Sequence, residues 1–370
     1  MKAAGGVVPV PYWRGPALRA LAWFWAALVV VVGGTAVTLQ SLGPPSPPTI
    51  KTAAAPTPIV PAASSPQPAA TAAAVSPEPV LPAALAAAPA LPARSPGDAI
   101  VPPDPALEEP TADYPGALPR IGADHRLPLQ VYAAAVAPAD ARPRIAILLT
   151  GLGMLGAEDA DAVRALPSAM SAAISPYAYH SEPILQQMRA QGRESFLSLP
   201  MEPRSFATDD AGSEAMLTGN SDGVNLQRLR WAMSRLSGYV GATPAMGALR
   251  GERFAASATQ MAPILRDLAA RGLMYIDSRP NAKHPPGVVG RSVDVVVDAP
   301  AVRTEIDAKL AQLETIARAH GSALGVAGPP HPVTVARLAA WGASLASRGF
   351  VLVPVSALAT PTVKAERVSR

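Results

Sequence analysis

The chain has 370 residues, of which 43 are proline and none is cysteine; 16% are charged and 5% aromatic, both low for a soluble enzyme. The missing thiols exclude disulfides, thiol catalysis and cysteine-ligated zinc. A formal charge of +4, spread over scattered Lys and Arg with no basic run and no interleaved aromatics, argues against a nucleic-acid partner.

Residues 20–39 read ALAWFWAALVVVVGGTAVTL and carry no charge. As a helix rising about 1.5 Å per residue, such a run spans roughly the 30 Å of a bilayer's hydrocarbon core. Lys2, Arg14 and Arg19 precede it, and the next basic residue is Lys51. The positive-inside rule then predicts a cytoplasmic segment 1–16, a membrane anchor over 17–39 and export of the rest. Such a chain is expected to be a single-pass membrane protein with its C-terminal domain on the exported side. Trp13, Trp23 and Trp25 cluster at the cytoplasmic side, where indoles favour the interface. A cleaved signal sequence is the alternative.

Residues 40–143 are rich in Pro, Ala and Ser. Proline removes backbone donors and fixes φ, while alanine offers little apolar area to bury. The segment is expected to be a disordered, semi-extended linker. Asp113 to Val136 is less biased and is a candidate N-terminal arm packed on the folded domain.

From Arg144 onward short apolar runs alternate with amphipathic stretches. Candidate strands are Arg144–Leu149, Ala169–Ile174, Ser195–Leu199, Tyr239–Ala242, Leu273–Asp277, Val293–Val297, Ala323–Ala327 and Phe350–Pro354. Helical patterns lie at Ala157–Ala165, Pro183–Gln191, Asn225–Leu236, Ala258–Arg271, Thr304–His320 and Pro332–Ser347. Apolar strands separated by helices imply an α/β fold with a mostly parallel sheet covered on its faces. Seven or eight such units within 144–358 fit a barrel better than an open sheet, with 359–370 as a tail.

Function in such folds sits at the carboxyl ends of the strands. Those ends read Thr150-Gly151-Leu152-Gly153 after the first strand and Pro200-Met201-Glu202 after the third. The fourth leads into Thr243-Pro244-Ala245-Met246-Gly247, the fifth ends Asp277-Ser278-Arg279, and the seventh ends Gly328-Pro329-Pro330-His331.

The pieces RIAILLTGLG, LSLPMEP, VGATPAMGA, GLMYIDSRP and GFVLVPVSAL, in this order, resemble the divergent polysaccharide deacetylases, a family of NodB-like distorted (β/α) barrels. The resemblance runs from about Arg144 to Leu358. It implies a metal-dependent hydrolase, with a divalent ion such as zinc, that removes acetyl groups from amino sugars in carbohydrate metabolism.

The departures concern the metal site. The family's first strand usually ends in two aspartates, here Thr150 and Gly151. A histidine usually precedes Met-Gly after the fourth strand, here Ala245. Of two histidines flanking a proline after the seventh strand only His331 stands, with Pro329 at the first position. Roughly three Asp, Glu or His ligands are needed to hold a catalytic cation and lower the pKa of its water. The resemblance therefore implies a pseudoenzyme with no cofactor.

The residual catalytic candidates are Asp277 and His331, and the substrate-binding candidates are Glu202, Arg279, Met246 and Tyr177. Tyr177, Tyr179 and Trp231 are candidate ring-stacking platforms. Three functions are open: a degenerate deacetylase domain that still binds a glycan or peptidoglycan strand, an active hydrolase rebuilt on Asp277, His331 and Glu202, or a non-enzymatic envelope scaffold docking a protein partner.

Overall fold

The computed structural model describes residues 23–26, 93–137 and 140–359. Most of the expected anchor and the Pro-rich segment as far as residue 92 therefore lie outside the described residues, as does the tail beyond 359. Among the described residues no helix is long and apolar enough to cross a membrane. The chain divides into two units, 1–73 and 74–370. Of the first, residues 23–26 are described and are helical. The second holds the folded domain.

The centre of that domain is a parallel sheet. In chain order its strands are β3 (Arg144–Leu152), β4 (Ser171–Ile174), β5 (Ser195–Ser198), β6 (Gly241–Thr243), β7 (Met274–Asp277), β8 (Gly290–Ser292), β9 (Val295–Val296), β10 (Ser322–Ala327) and β11 (Val351–Leu352). Spatially they run β8-β7-β6-β5-β4-β3-β10-β9, every pairing parallel. The two end strands are consecutive in the chain. Residue 293 donates its amide to the Asp277 carbonyl of β7, and residue 294 donates to Leu324 of β10. One extended run, 290–296, thus changes partner midway and brings the sheet back on itself as a barrel. β11 pairs with Arg144 and Ile145 of β3, on the flank whose upper part belongs to β4.

Each expected strand from Arg144 onward is present, and β8 is an addition. Packed around them are α2 (Ala157–Ala165), α3 (Glu182–Ala190), α4 (Asp222–Met233), α5 (Glu252–Ala256), α6 (Ala258–Ala270), α7 (Arg303–His320) and α8 (Pro332–Ser344). In α6 the buried Met261, Ile264, Leu265 and Leu268 recur at helical spacing and supply the stripe that seats it on the sheet.

Two apolar clusters arise from strand alternation. Ala146, Leu148, Phe196, Met274, Ile276, Leu324 and Val326 fill the barrel. Ile145, Ile147, Leu197 and Tyr275 face the helices. The packed region begins well before Arg144. Residues 93–137, which include β1 (Glu108–Glu109), β2 (Leu118–Pro119) and α1 (Pro128–Val131), bury Ile100, Leu107, Leu118, Leu127 and Tyr132. The expected arm is thus real and starts earlier than Asp113. For these residues the disordered-linker expectation gives way, because single apolar side chains spaced between the prolines, such as Ile100, Leu107 and Tyr132, join the cluster that fills the barrel, while Leu118 joins the helix-side one.

The amino-terminal end of the barrel is closed by a buried carboxylate. Glu194 accepts from the Ser171 hydroxyl at 2.6 Å, the Ala134 amide at 3.2 Å, and the amide and hydroxyl of Ser356 at 3.0 and 2.5 Å. One side chain ties together the arm, β4 and α9 (Ser356–Ala359). Its neighbour Arg193 points the other way and donates to the carbonyls of Val163, Leu166, Pro167 and Met170 at the end of α2. That placement satisfies orphan carbonyls with a cation at the negative end of the helix.

Candidate functional site at the carboxyl end of the barrel

The carboxyl ends of β3, β6 and β10 converge, as a barrel requires. Between Leu149 and Leu152 the pairing of β3 with β4 slips, so Thr150 and Gly151 sit in an irregularity at the rim. Gly151 has φ +82°, and a Cβ placed on it would lie 2.9 Å from the Gly247 Cα and 3.2 Å from the Pro329 Cα. Three strand-end loops therefore meet backbone to backbone. A side chain on Gly328 would likewise strike Thr150.

Hydroxyls line the inner rim and are used locally. Thr150 donates to the Ala327 carbonyl at 3.1 Å, Ser198 to Ala245 at 2.8 Å and Ser278 to Arg250 at 2.7 Å. Ser175 contacts the Met246 sulfur at 3.8 Å. The three hydroxyl–carbonyl bonds join the ends of neighbouring strands, while the Ser175–Met246 contact reaches from β4 across to β6. Thr150 and Ala245 are wholly buried.

A catalytic divalent ion does not fit these residues. At 150, 151, 245 and 329 there is no carboxylate, imidazole or thiolate, and Gly151 has no space for a longer side chain. Among the described residues no group of three or more His, Asp or Glu side chains is placed to hold a metal.

The candidate residues fall into separate environments. Asp277 is fully buried at the end of β7, where alternation puts it on the helix side with Tyr275, away from the barrel interior. Both its oxygens engage Arg279: Nε at 3.0 and 3.2 Å, Nη2 at 2.6 Å, and the Arg279 amide at 3.0 Å. That pairing raises the guanidinium's pKa. Glu202 is buried in the loop after β5; one oxygen accepts from the Thr218 amide and hydroxyl, both at 2.6 Å, and the other faces Arg253 Nε at 3.1 Å. It fastens the long 199–221 loop to α5. His331 is exposed at the head of α8, where its carbonyl accepts the Val335 amide. Among the described residues no hydrogen bond or ion pair joins Asp277, His331 and Glu202 to one another.

Tyr177 is also committed. Its hydroxyl accepts the Glu214 amide at 3.0 Å, its ring packs 5.3 Å from Trp231, and burial pushes its pKa up to about 12. Met246 is half-buried against Ser175. Tyr179 differs from both, being 87% exposed in the loop after β4, edge-on to His180 at 4.3 Å. Met154 and Leu155, in the loop after the neighbouring strand β3, are exposed as well.

One carboxylate at this end is absent from the sequence-based candidates. Asp298 follows β9 and accepts from the Gly328 amide at 2.9 Å and the Thr334 hydroxyl at 3.1 Å. Burial raises its pKa, an effect those two bonds and the nearby His331 oppose. The signal for it was an Asp directly after the candidate strand Val293–Val297.

The sequence profile described as "Divergent polysaccharide deacetylase" matches residues 147–359. An uncharacterized protein of Haemophilus influenzae is 28% identical over 207 residues, which cover 54% of this chain and 71% of that one. The crystal structure of an uncharacterized protein from Agrobacterium tumefaciens C58 superposes with a TM-score of 0.61 at 29% identity, covering 66% of this chain and 99% of that one. The catalytic domain of a peptidoglycan N-acetylglucosamine deacetylase from Eubacterium rectale is 11% identical, over 60% of this chain and 91% of that one. It superposes with a TM-score of 0.34.

Proposed function

The chain belongs to the divergent polysaccharide deacetylase family; from that premise we propose that its barrel no longer performs metal-dependent deacetylation and serves as a glycan-binding domain of the cell envelope. In this reading residues 17–39 hold it at the inner membrane, the Pro-rich stretch carries it outward, and a glycan or peptidoglycan strand is its ligand. The observation that supports the loss of catalysis is the rim at 150, 151, 245 and 329, which has no Asp, Glu or His, and where Gly151 lies so close to Gly247 and Pro329 that a ligating side chain has no room. Deacetylation of this kind requires a cation that polarises the amide and activates water.

Glycan binding survives such a loss because it relies on a surface, ring faces and hydrogen bonds. Tyr179 supports this part: a phenol so exposed beside the barrel's mouth has an uncovered face for a sugar ring. The reading of an active, rebuilt hydrolase has weaker support, since Asp277 and Glu202 are each saturated by their own partners.

The test is metal analysis of the purified chain together with acetate release from, and binding to, chitooligosaccharides. The expected result is substoichiometric metal, no acetate released and measurable binding. Tyr179→Ala should weaken that binding by about 1 kcal/mol, roughly fivefold. Stoichiometric zinc with turnover would refute the proposal, and absence of any glycan affinity would leave the scaffold reading in its place.

A further inference from the structure

The Asp277–Arg279 pair after β7 does not serve the barrel's mouth, because the carboxylate lies on the helix side of the strand. Arg279 of that pair lines a cleft of about 570 Å³ between α5, the start of α6 and the loop 279–287. That volume lies in the range of small-molecule sites, roughly 300–1,000 Å³.

The lining divides into two kinds. Met261, Leu265 and Pro285, with several alanines, give an apolar wall. Arg266, Arg279 and Lys283 give three cations, and no Asp or Glu lines the cleft. Arg266 and Lys283 are exposed and have no carboxylate partner among the described residues. Asp277 takes Nε and one Nη of Arg279, which fixes the guanidinium and leaves Nη1 without a partner. The first turn of α6, capped by Ser257, opens on the same cleft and adds the positive end of a 13-residue helix. An apolar body with a cationic rim selects a ligand of matching polarity.

We propose that this cleft binds a small anionic amphiphile, a carboxylate or phosphate head on an aliphatic body, with Arg266, Arg279 and Lys283 receiving the head and Met261 and Leu265 the body. Asp277 is then a positioning residue that aims Arg279. This site is separate from the barrel's mouth, and it stands whether or not glycan binding is found there.

Because the chain has no cysteine, one introduced by Ala262→Cys carries a single environment-sensitive dye at the cleft. The full chain, held in a neutral detergent, is titrated with octyl phosphate, octyl glucoside and inorganic phosphate, each below micelle-forming concentration. Octyl phosphate is expected to saturate the signal at a concentration about tenfold lower than either of the others. Arg266→Glu with Lys283→Glu, both exposed and without structural partners, should raise that concentration about tenfold, with an unchanged circular dichroism spectrum.

Arg279→Gln should do so about threefold. Equal saturation by octyl glucoside would mean an unselective apolar groove, and equal saturation by inorganic phosphate an ion site alone; either overturns the proposal. So would an unchanged charge-reversed variant. Vesicles of phosphatidylglycerol separate the sources: a dye response to them without one to octyl phosphate would make this a membrane-facing surface and overturn the small-ligand assignment.

Discussion

At the floor of the barrel Glu194 and Arg193, each 1% exposed, have every hydrogen-bonding direction but one supplied by neighbours. At the mouth, where a hydrolase of this architecture would hold its charges, Thr150, Ser198 and Ser278 donate neutral bonds to backbone carbonyls and Ser175 contacts the Met246 sulfur. Buried charge is tolerated only when fully hydrogen-bonded, so its position reports where a fold is under constraint. Here the constraint has a structural address. The carboxylates left at the carboxyl end are either paired sideways, as Asp277 is with Arg279, or tied to a loop, as Asp298 is to Gly328.

The floor offers the largest way to break this comparison. Glu194→Ala removes the acceptor shared by the arm, β4 and α9, and is expected to cost about 3–5 kcal/mol of unfolding free energy. Arg193→Leu withdraws donors from four carbonyls around the end of α2 and should cost about 2–4 kcal/mol. Burial pulls this guanidinium's pKa down to about 10, so it stays charged at neutral pH. Urea unfolding followed by circular dichroism checks both. Losses below about 1 kcal/mol would mean that the floor is not where the charge matters.

The strands were legible from sequence because parallel strands covered on both faces read as unbroken apolar runs. β8 was not, since Gly290, Arg291 and Ser292 are half-buried and carry no apolar signal. The arm was partly hidden because prolines dominate its composition while its buried residues come one at a time, as Leu107, Leu118 and Leu127 do. At the site, the missing ligands were plain from the strand-end residues. The separation of Asp277 from the mouth was also readable in principle: it is two residues from Tyr275, and alternation puts both on one face. Arg193 and Glu194 gave no signal because adjacent opposite charges look like a solvated surface. Only the neighbours that complete their hydrogen bonds, up to 162 residues away, reveal their role.

The mouth supplies the next test. Gly151→Ala places a methyl within 2.9 Å of the Gly247 backbone and forces an L-residue to a φ of +82°. Overpacking and left-handed strain together should cost about 2–4 kcal/mol. Gly247→Ala is the matched control: its φ is +63°, but its Cβ would sit 3.5 Å from Pro329, an ordinary contact. Only the conformational cost, about 1–2 kcal/mol, is then expected. Equal melting temperatures for Gly151→Ala and the unmodified chain would show that the three loops have room between them, and the argument against a metal there would weaken with it.

The smallest effect is electrostatic and belongs to Asp298. Its pKa in the folded chain lies above the ordinary 3.8, chiefly because burial disfavours the charged form. Between the unfolded and folded values the folded state therefore holds more proton than the unfolded one. In that window stability falls as pH rises, the reverse of a salt-bridged carboxylate. Below 3.8 both states are protonated and the effect is absent; above the folded pKa it is complete. Asp298→Asn keeps an oxygen for the Gly328 amide and the Thr334 hydroxyl and removes the titration. Relative to the unmodified chain, the Asn variant should gain stability as pH is raised from about 4 towards neutrality, and lose that gain at lower pH. Unfolding curves collected across this range give the difference directly. If the difference runs the other way, His331 and the two hydrogen bonds outweigh desolvation, and Asp298 is held as a true anion beside the barrel's mouth. The mouth would then keep one structural charge of its own, and the contrast with the floor would narrow to a matter of number.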